Sequence, residues 1–294
     1  MRIAIYGNKY QEKFFAPLER LFGALAGRNA WVAIDRSFYD YLCCHTSVVP
    51  VVNEVIDEES NFDAAIALSI GGDGTFLRTA SKIGQSGIPI LGINAGRLGF
   101  LADVQLDEIE TAIPSIVRDA QYEVEYRNLL QLDIPECQQP YQRFALNEVA
   151  ILKRDVSSMV SVSVSVDGIL LNQYDADGLI VATPTGSTAY AMSAGGPILQ
   201  PQSHCFEIVP IAAHSLTARP LVINDSSVLD IEVTSRNNLF LVAIDGLPLH
   251  LTTQYKLQLR KADHTIGVVR RSNSTFYDTL RKKLMWGGAV VQTM

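Results

Sequence analysis

Residues Ser69 to Ala80, SIGGDGTFLRTA, set one aspartate, Asp73, among three glycines, Gly71, Gly72 and Gly74, and follow it with Thr75 and, one turn on, Arg78. Glycines let a ligand approach the main chain. A helix opening behind them presents free N–H groups and the positive end of its dipole, which suits phosphate. Neither G-x-x-x-x-G-K-[ST] nor G-x-G-x-x-G occurs here, so neither common nucleotide-loop fingerprint applies. A carboxylate fixed beside phosphates has two useful roles. It can take a proton from an attacking hydroxyl, or hold a magnesium ion that bridges phosphate oxygens. Both belong to phosphoryl transfer. A lone Gly-Asp-Gly is more often a tight surface turn, but this one leaves an apolar run and opens a helical pattern.

A second stretch, DGLIVATPTGSTAYAMSAGGPI (Asp177 to Ile198), packs hydroxyls and small residues more densely than any other part of the chain. Such residues let a flat ligand lie close to the backbone, with Tyr190 free to stack. They equally let helices and strands pack tightly, so some serve packing alone.

The elements that must position these residues follow from patterning. Arg2 to Gly7, Ala64 to Gly72 and Ile88 to Asn94 are nearly continuous apolar runs, as expected of parallel strands buried on both faces. A helix over Thr75 to Ile83 fits behind the glycines. From Val124 onward the texture alternates with period two, clearest in SVSVSVDGILL (Ser161 to Leu171), where Asp167-Gly168 predicts a tight hairpin. Further strands are expected at Glu207 to Ala212, Val228 to Thr234, Leu239 to Ile244 and Tyr255 to Leu259. A closing helix over Ser274 to Trp286 carries Phe276, Leu280 and Leu284 on one face, with Ser274 able to cap it. The expected fold is α/β plus β. Residues 1–123 form an open α/β domain carrying the GGDG loop, 124–270 a β-rich, β-sandwich-like domain, and 271–294 a helix packing back on the first domain.

Composition bounds the partners. A 294-residue chain with 48% hydrophobic and 19% charged residues is an ordinary globular protein. Its formal net charge of −7 argues against nucleic acid. Cys43, Cys44, Cys137 and Cys205 form no Cys-x-x-Cys pair and no zinc spacing, which fits free thiols in a reducing cytoplasm. No signal-peptide pattern and no run of about 18 apolar residues is present, so a cytoplasmic protein without membrane contact is expected.

GGDGT resembles the loop shared by diacylglycerol and sphingosine kinases, 6-phosphofructokinases and NAD kinases. The longer string TPTGSTAYAMSAGGP, with NAGRLGFL (Asn94 to Leu101) and LNEVAI (Leu146 to Ile151), is similar to the NAD kinase family across about Ile66 to Arg271. The resemblance implies ATP and NAD as substrates and a divalent metal ion, Mg2+, with Asp73 as the base acting on the 2'-hydroxyl of the adenosine ribose. Gly71 to Thr75 would hold phosphates, with Arg78 beside them. Asn147 and Glu148 match the family's Asn-acidic pair, suited to an adenine edge and a ribose. Thr188, Ala189, Tyr190, Ala191, Met192 and Ser193 would line the nucleotide, with Asp177 and Asp245 as acidic contacts. His214 receives no role, and Arg97 and Arg219 are candidate cations near phosphate. Asp175 departs from the basic residue many bacterial relatives carry, which leaves the choice between NAD and NADH open. A homodimer or homotetramer is expected. Two rival readings stay in view: a lipid or sugar kinase on the same loop, and a non-catalytic dinucleotide sensor.

Overall fold

The computed structural model describes residues 1–8, 15–27, 30–45, 50–57, 62–96, 99–117, 122–155, 158–271 and 275–285. The chain divides into two compact units, Met1–Tyr126 with Ile266–Met294, and Arg127–Thr265.

The first unit is built on strands β1 (Arg2–Gly7), β2 (Trp31–Asp35), β3 (Glu54–Ile56), β4 (Ile66–Gly71), β5 (Ile90–Asn94) and β6 (Ala102–Gln105). Their spatial order is β5-β4-β1-β2-β3, all parallel, with β6 beside β5. β4 and β5 are buried along their whole length, as their unbroken apolar sequences require. Helices α1 (Phe15–Ala26), α2 (Arg36–His45), α3 (Asp73–Ile83) and α4 (Ile109–Val117) connect or cover them. α1 buries Leu18, Leu21, Phe22 and Leu25, the i, i+3, i+4, i+7 stripe of an amphipathic helix. α3 buries Thr75, Phe76, Thr79, Ala80 and Ile83 in the same way, which leaves its first turn at the carboxyl end of β4.

The second unit contains most of β7 (Tyr122–Asp133), then β8 (Phe144–Ala145), β9 (Glu148–Lys153), β10 (Val160–Val166), β11 (Ile169–Ala176), β12 (Gly178–Ala182), β13 (Cys205–Ile211), β14 (Leu221–Asn224), β15 (Leu229–Ser235), β16 (Leu239–Ile244), β17 (Leu247–Thr252) and the start of β18 (Leu257–Arg271). One antiparallel sheet runs β14-β13-β12-β9-β16-β17, and β11-β10-β15-β18 forms a second layer. The serine–valine alternation of β10 sends Val160, Val162 and Val164 into a core shared with Leu229, Ile231, Val233, Val149, Ile151, Leu179 and Val181. Asp167 and Gly168 both take positive φ, 51° and 79°, closing the β10–β11 hairpin.

The structure corrects two local expectations. β18 does not stop at Leu259 but continues to Arg271, where Val268 pairs with Ile90 of β5. The closing helix α6 (Phe276–Leu284) is capped by Thr275, whose hydroxyl accepts from the Asp278 N–H while the Asp278 carboxylate accepts from the Thr275 N–H. Ser274, Trp286 and the tail from Gly288 lie outside the described residues. Phe276, Leu280 and Leu284 are half-buried, so this face packs without entering a core.

Candidate active site

In the first unit, α3 opens with Gly72 at its N-cap and Asp73 as its first residue, and no side chain caps the exposed N–H groups. A Cβ on Gly71 would overlap the Thr75 hydroxyl, whereas a Cβ on Gly72 or Gly74 would meet nothing. Gly71 is therefore demanded by packing, and the other two leave open space over the helix end. The Asp73 carboxylate is held from the NAGRLGFL stretch: the Phe100 N–H donates to Oδ2 at 2.9 Å and the Leu101 N–H to Oδ1 at 3.1 Å. Gly99 makes this possible, since a Cβ there would occupy the place of the carboxylate. The far end of Phe100 is fixed as well, its carbonyl accepting from Arg270 at 3.1 Å. Lys283 of α6 brings its ammonium to 3.5 Å from Asp73 Oδ2. Arg78 is exposed and its guanidinium reaches Thr75 Oγ1 at 3.4 Å.

The second unit builds a different kind of site. Asp245 and Gly246 form the two-residue turn between β16 and β17, both at positive φ, and aim the Asp245 carboxylate along the start of β9. It accepts from the N–H groups of Leu146 (2.7 Å), Asn147 (2.8 Å) and Glu148 (3.1 Å). Burial still pushes the Asp245 pKa up to about 6 against those three donors. Glu148 is pushed up to about 8, by burial first and by the Asp245 charge second, while the Tyr190 N–H pulls the other way. Ala182 pairs with both Glu148 and Glu207, so the two glutamates flank one small residue on the same face of the sheet. Glu207 is 0% exposed, neither of its carboxyl oxygens has a hydrogen-bond partner, and burial raises it to about 7.

The loop after β12 covers that face. Thr183 donates to the Leu146 carbonyl at 2.6 Å and accepts from the Gly186 N–H at 3.2 Å, and Ser187 donates to Pro184 at 2.7 Å and accepts from Leu199 at 2.9 Å. Gly186 admits no Cβ because the Asn147 carbonyl fills the space. Thr183 and Ser187 are thus wholly spent on holding the loop over Asn147 and Glu148. α5 (Tyr190–Ser193) then exposes Tyr190 and Ser193.

A family model for the ATP-NAD kinase N-terminal domain matches residues 32–122, and one for the ATP-NAD kinase C-terminal domain matches 146–270. NAD kinase of Bacteroides fragilis is 47% identical over 287 residues, 98% of either chain. The chain belongs to the NAD kinase family. NAD kinase of Porphyromonas gingivalis is 42% identical, covering 98% of this chain and 99% of that one. The structure of an NAD kinase from Archaeoglobus fulgidus in complex with ATP matches with a TM-score of 0.75 at 27% identity, over 97% of this chain and 99% of that chain. Yeast NADH kinase complexed with NADH gives a TM-score of 0.86 over 100% and 90% of the two chains; at 20% identity that likeness speaks for the fold.

Within this NAD kinase frame the expected residues fall into three groups. Asp73, Thr75 and Arg78 gather around the glycine loop, and Asn147, Glu148, Asp245 and the backbone of Tyr190 gather around β9. Thr188 is half-buried, its hydroxyl donating to the Thr185 carbonyl at 3.4 Å, and Ala189 and Met192 are half-buried beside it. Ala191 turns away: its side chain is fully buried with Ala150, Ile180, Ala182 and Val209, so the expectation that it lines a ligand gives way to packing. Asp177 is ion-paired to Lys153 at 2.6 Å, Asp175 accepts from Ser161, and the guanidinium of Arg219 bonds the carbonyls of its own loop. His214 is exposed, and Arg97 lies outside the described residues. Sequence reasoning missed Gly99, Lys283 and Glu207. Of these Lys283 left a signal, seven residues after Phe276 and therefore on the inward face of α6.

Proposed function

We propose that this chain transfers the terminal phosphate of ATP to the 2'-hydroxyl of the adenosine ribose of NAD, giving NADP and ADP, with Asp73 as general base. The observation that carries this reading is the way Asp73 is held. Two backbone N–H groups grip its oxygens at 2.9 and 3.1 Å and fix it at the first turn of α3, among glycines that leave the helix end open to phosphate. A carboxylate serving only as a turn residue would need no such cradle.

In this mechanism the α3 N–H groups and the loop Gly71–Thr75 take phosphate oxygens, and Arg78 adds a cation beside them. The ribose hydroxyl gives its proton to Asp73 as its oxygen bonds to the terminal phosphorus, and the bond to the ADP oxygen breaks. Asn147 offers an amide to the adenine edge, Glu148 a carboxyl to a ribose, and Tyr190 a ring against the nucleotide, with Thr188, Ala189, Met192 and Ser193 alongside. Asp245 orients Asn147 and Glu148 through their own backbone. Mg2+ would be carried mainly on the phosphates of ATP, as is usual for this ion at nucleotide sites, and Asp73 stays the base. When bound, the ion neutralises phosphate charge.

We also propose a cytoplasmic homodimer or homotetramer. The described cysteines are free, no helix among the described residues is long and apolar enough to cross a membrane, and Leu216, Leu221 and Val222 are exposed on the second unit. A monomer by light scattering at micromolar concentration would contradict the assembly. For the activity, purified protein is incubated with ATP, Mg2+ and NAD, and NADP is read with an NADP-specific dehydrogenase. NADP is the expected product. Binding of NAD without NADP formation would make the protein a sensor, and no binding would return the question to other hydroxyl acceptors.

A further inference from the structure

We propose that Lys283 is the phosphate-binding lysine that the glycine loop itself lacks, delivered by the closing helix α6, and that it exchanges Asp73 for the transferring phosphate of ATP. The proposal rests on the kinase reading above and assigns to that site a residue outside its sequence motifs.

Three features of the geometry point the same way. First, the ammonium of Lys283 stands 3.5 Å from Asp73 Oδ2 and 4.1 Å from the centroid of the Phe100 ring. A committed ammonium–carboxylate hydrogen bond is about 2.7–2.9 Å long, so the amine rests between a carboxylate and an aromatic face rather than locked on either. Second, the platform is rigid. Phe100 is tied at both ends, its N–H to Asp73 and its carbonyl to Arg270, so the group that positions the base also positions the cation. Third, Lys283 differs from its neighbours on α6. Arg281 and Lys282 are exposed, and Arg281 pairs with Asp278 on its own helix, whereas Lys283 shares the inward face of Phe276, Leu280 and Leu284. The Lys283 and Asp73 side chains keep 28% and 29% of their surface open, which leaves room for a ligand to come between them.

The chemistry follows from charge. A polyphosphate arriving at a helix N-terminus meets favourable N–H groups and the unfavourable Asp73 carboxylate. An ammonium already at that carboxylate has three donors and can pass to a phosphate oxygen without leaving the ring of Phe100. The transfer frees an Asp73 oxygen for the ribose proton. As the new oxygen–phosphorus bond forms and the bond to the ADP oxygen breaks, the proton goes to Asp73, while Lys283 stays protonated throughout and stabilises the charge on the phosphoryl oxygens.

The test uses the full chain. ATP with Mg2+ is titrated calorimetrically, and steady-state NADP formation is measured, for wild type, Lys283→Met and Lys283→Arg, each also combined with Asp73→Asn. Methionine keeps an apolar stem on Phe100, and urea midpoints of each variant report whether the fold is retained. Lys283→Met is expected to weaken ATP about 10–100-fold, the span of one charge-assisted hydrogen bond, and to lower kcat/KM for ATP about 10²–10³-fold. The KM for NAD should hold, and Lys283→Arg should recover most of the loss. The loss of ATP affinity should persist in the Asp73→Asn background. Wild-type ATP affinity in Lys283→Met would overturn the proposal, as would a loss that disappears with Asp73→Asn, because Lys283 would then serve only to hold Asp73. A wild type that binds ATP but forms no NADP defeats the kinase reading while the titration still decides Lys283; one that takes no ATP overturns both.

Discussion

Asp73 and Asp245 are both aspartates gripped by backbone N–H groups, yet the two units use them in opposite ways. Asp73 accepts two N–H groups from a neighbouring loop, keeps part of its surface open and faces an ammonium. Asp245 accepts three N–H groups from one continuous stretch, Leu146 to Glu148, and lies against Glu148, whose pKa it helps to raise. The first arrangement holds a charged group where a substrate can reach it. The second uses the carboxylate as a splint that fixes the backbone of Leu146 to Glu148, two of which are proposed above to touch the ligand. A carboxylate at a site is therefore assigned by what its donors belong to and whether an oxygen is left over, rather than by its residue type.

That contrast can be broken most severely at Asp73. Asp73→Asn keeps one of the two N–H contacts, turns its amide NH2 towards the other N–H, and removes the proposed base, so turnover should fall about 10²–10⁴-fold while NAD and ATP still bind by calorimetry. Gly99→Ala comes next. Its Cβ would overlap the Asp73 carboxylate, and a displacement of about 1 Å from productive geometry can cost on the order of 10²-fold in rate. Steady-state kinetics should show this as a fall in kcat with the KM for NAD little changed.

In the second unit the effects should move from rate to binding and stability. Asp245→Ala leaves three N–H groups without their acceptor, so unfolding should become easier by about 1–3 kcal/mol, and NAD affinity should fall more than ATP affinity. Unchanged denaturant midpoints would deny the splint.

The smallest effect concerns Glu207. Its pKa rises from 4.5 to about 7 on folding, because burial disfavours the charged form. Below pH 4.5 folded and unfolded chains both hold the proton and nothing is lost; as pH climbs towards 7 the unfolded chain releases it first, and stability falls. Glu207→Gln removes that penalty. It should stabilise the protein at pH 8 by on the order of 1–3 kcal/mol and leave it unchanged near pH 4, as read from urea midpoints at both pH values.

Much of this was legible in the sequence where local pattern and function coincide. The unbroken apolar run of β4, the glycines and the amphipathic stripe of α3 predict a strand, an open loop and a helix in that order, and β10 reads directly as alternating valine and serine. The hydroxyl-rich loop stands out in the sequence as a candidate site, but its division of labour does not. Thr183 and Ser187 look like ligand contacts and are spent on the backbone, because only the fold reveals which carbonyls they meet. Ala191 likewise sits inside a nucleotide-like motif and packs in the core. Lys283 was legible as a residue on the inward face of α6, but the surroundings of Lys283 and Glu207 were out of reach. Lys283 meets Asp73 from a position 210 residues further along the chain, and Glu207 becomes unusual only because the fold buries it.

The most direct test of the division between the two sites is a single-turnover measurement of phosphoryl transfer at saturating ATP, Mg2+ and NAD, with NAD binding measured alongside, for Asp73→Asn and Glu148→Ala. The account predicts that Asp73→Asn loses rate and keeps NAD affinity, and that Glu148→Ala loses NAD affinity and keeps most of its rate once NAD saturates. An Asp73→Asn variant with near wild-type rate, or a Glu148→Ala variant that binds NAD normally and fails to transfer phosphate, would contradict it.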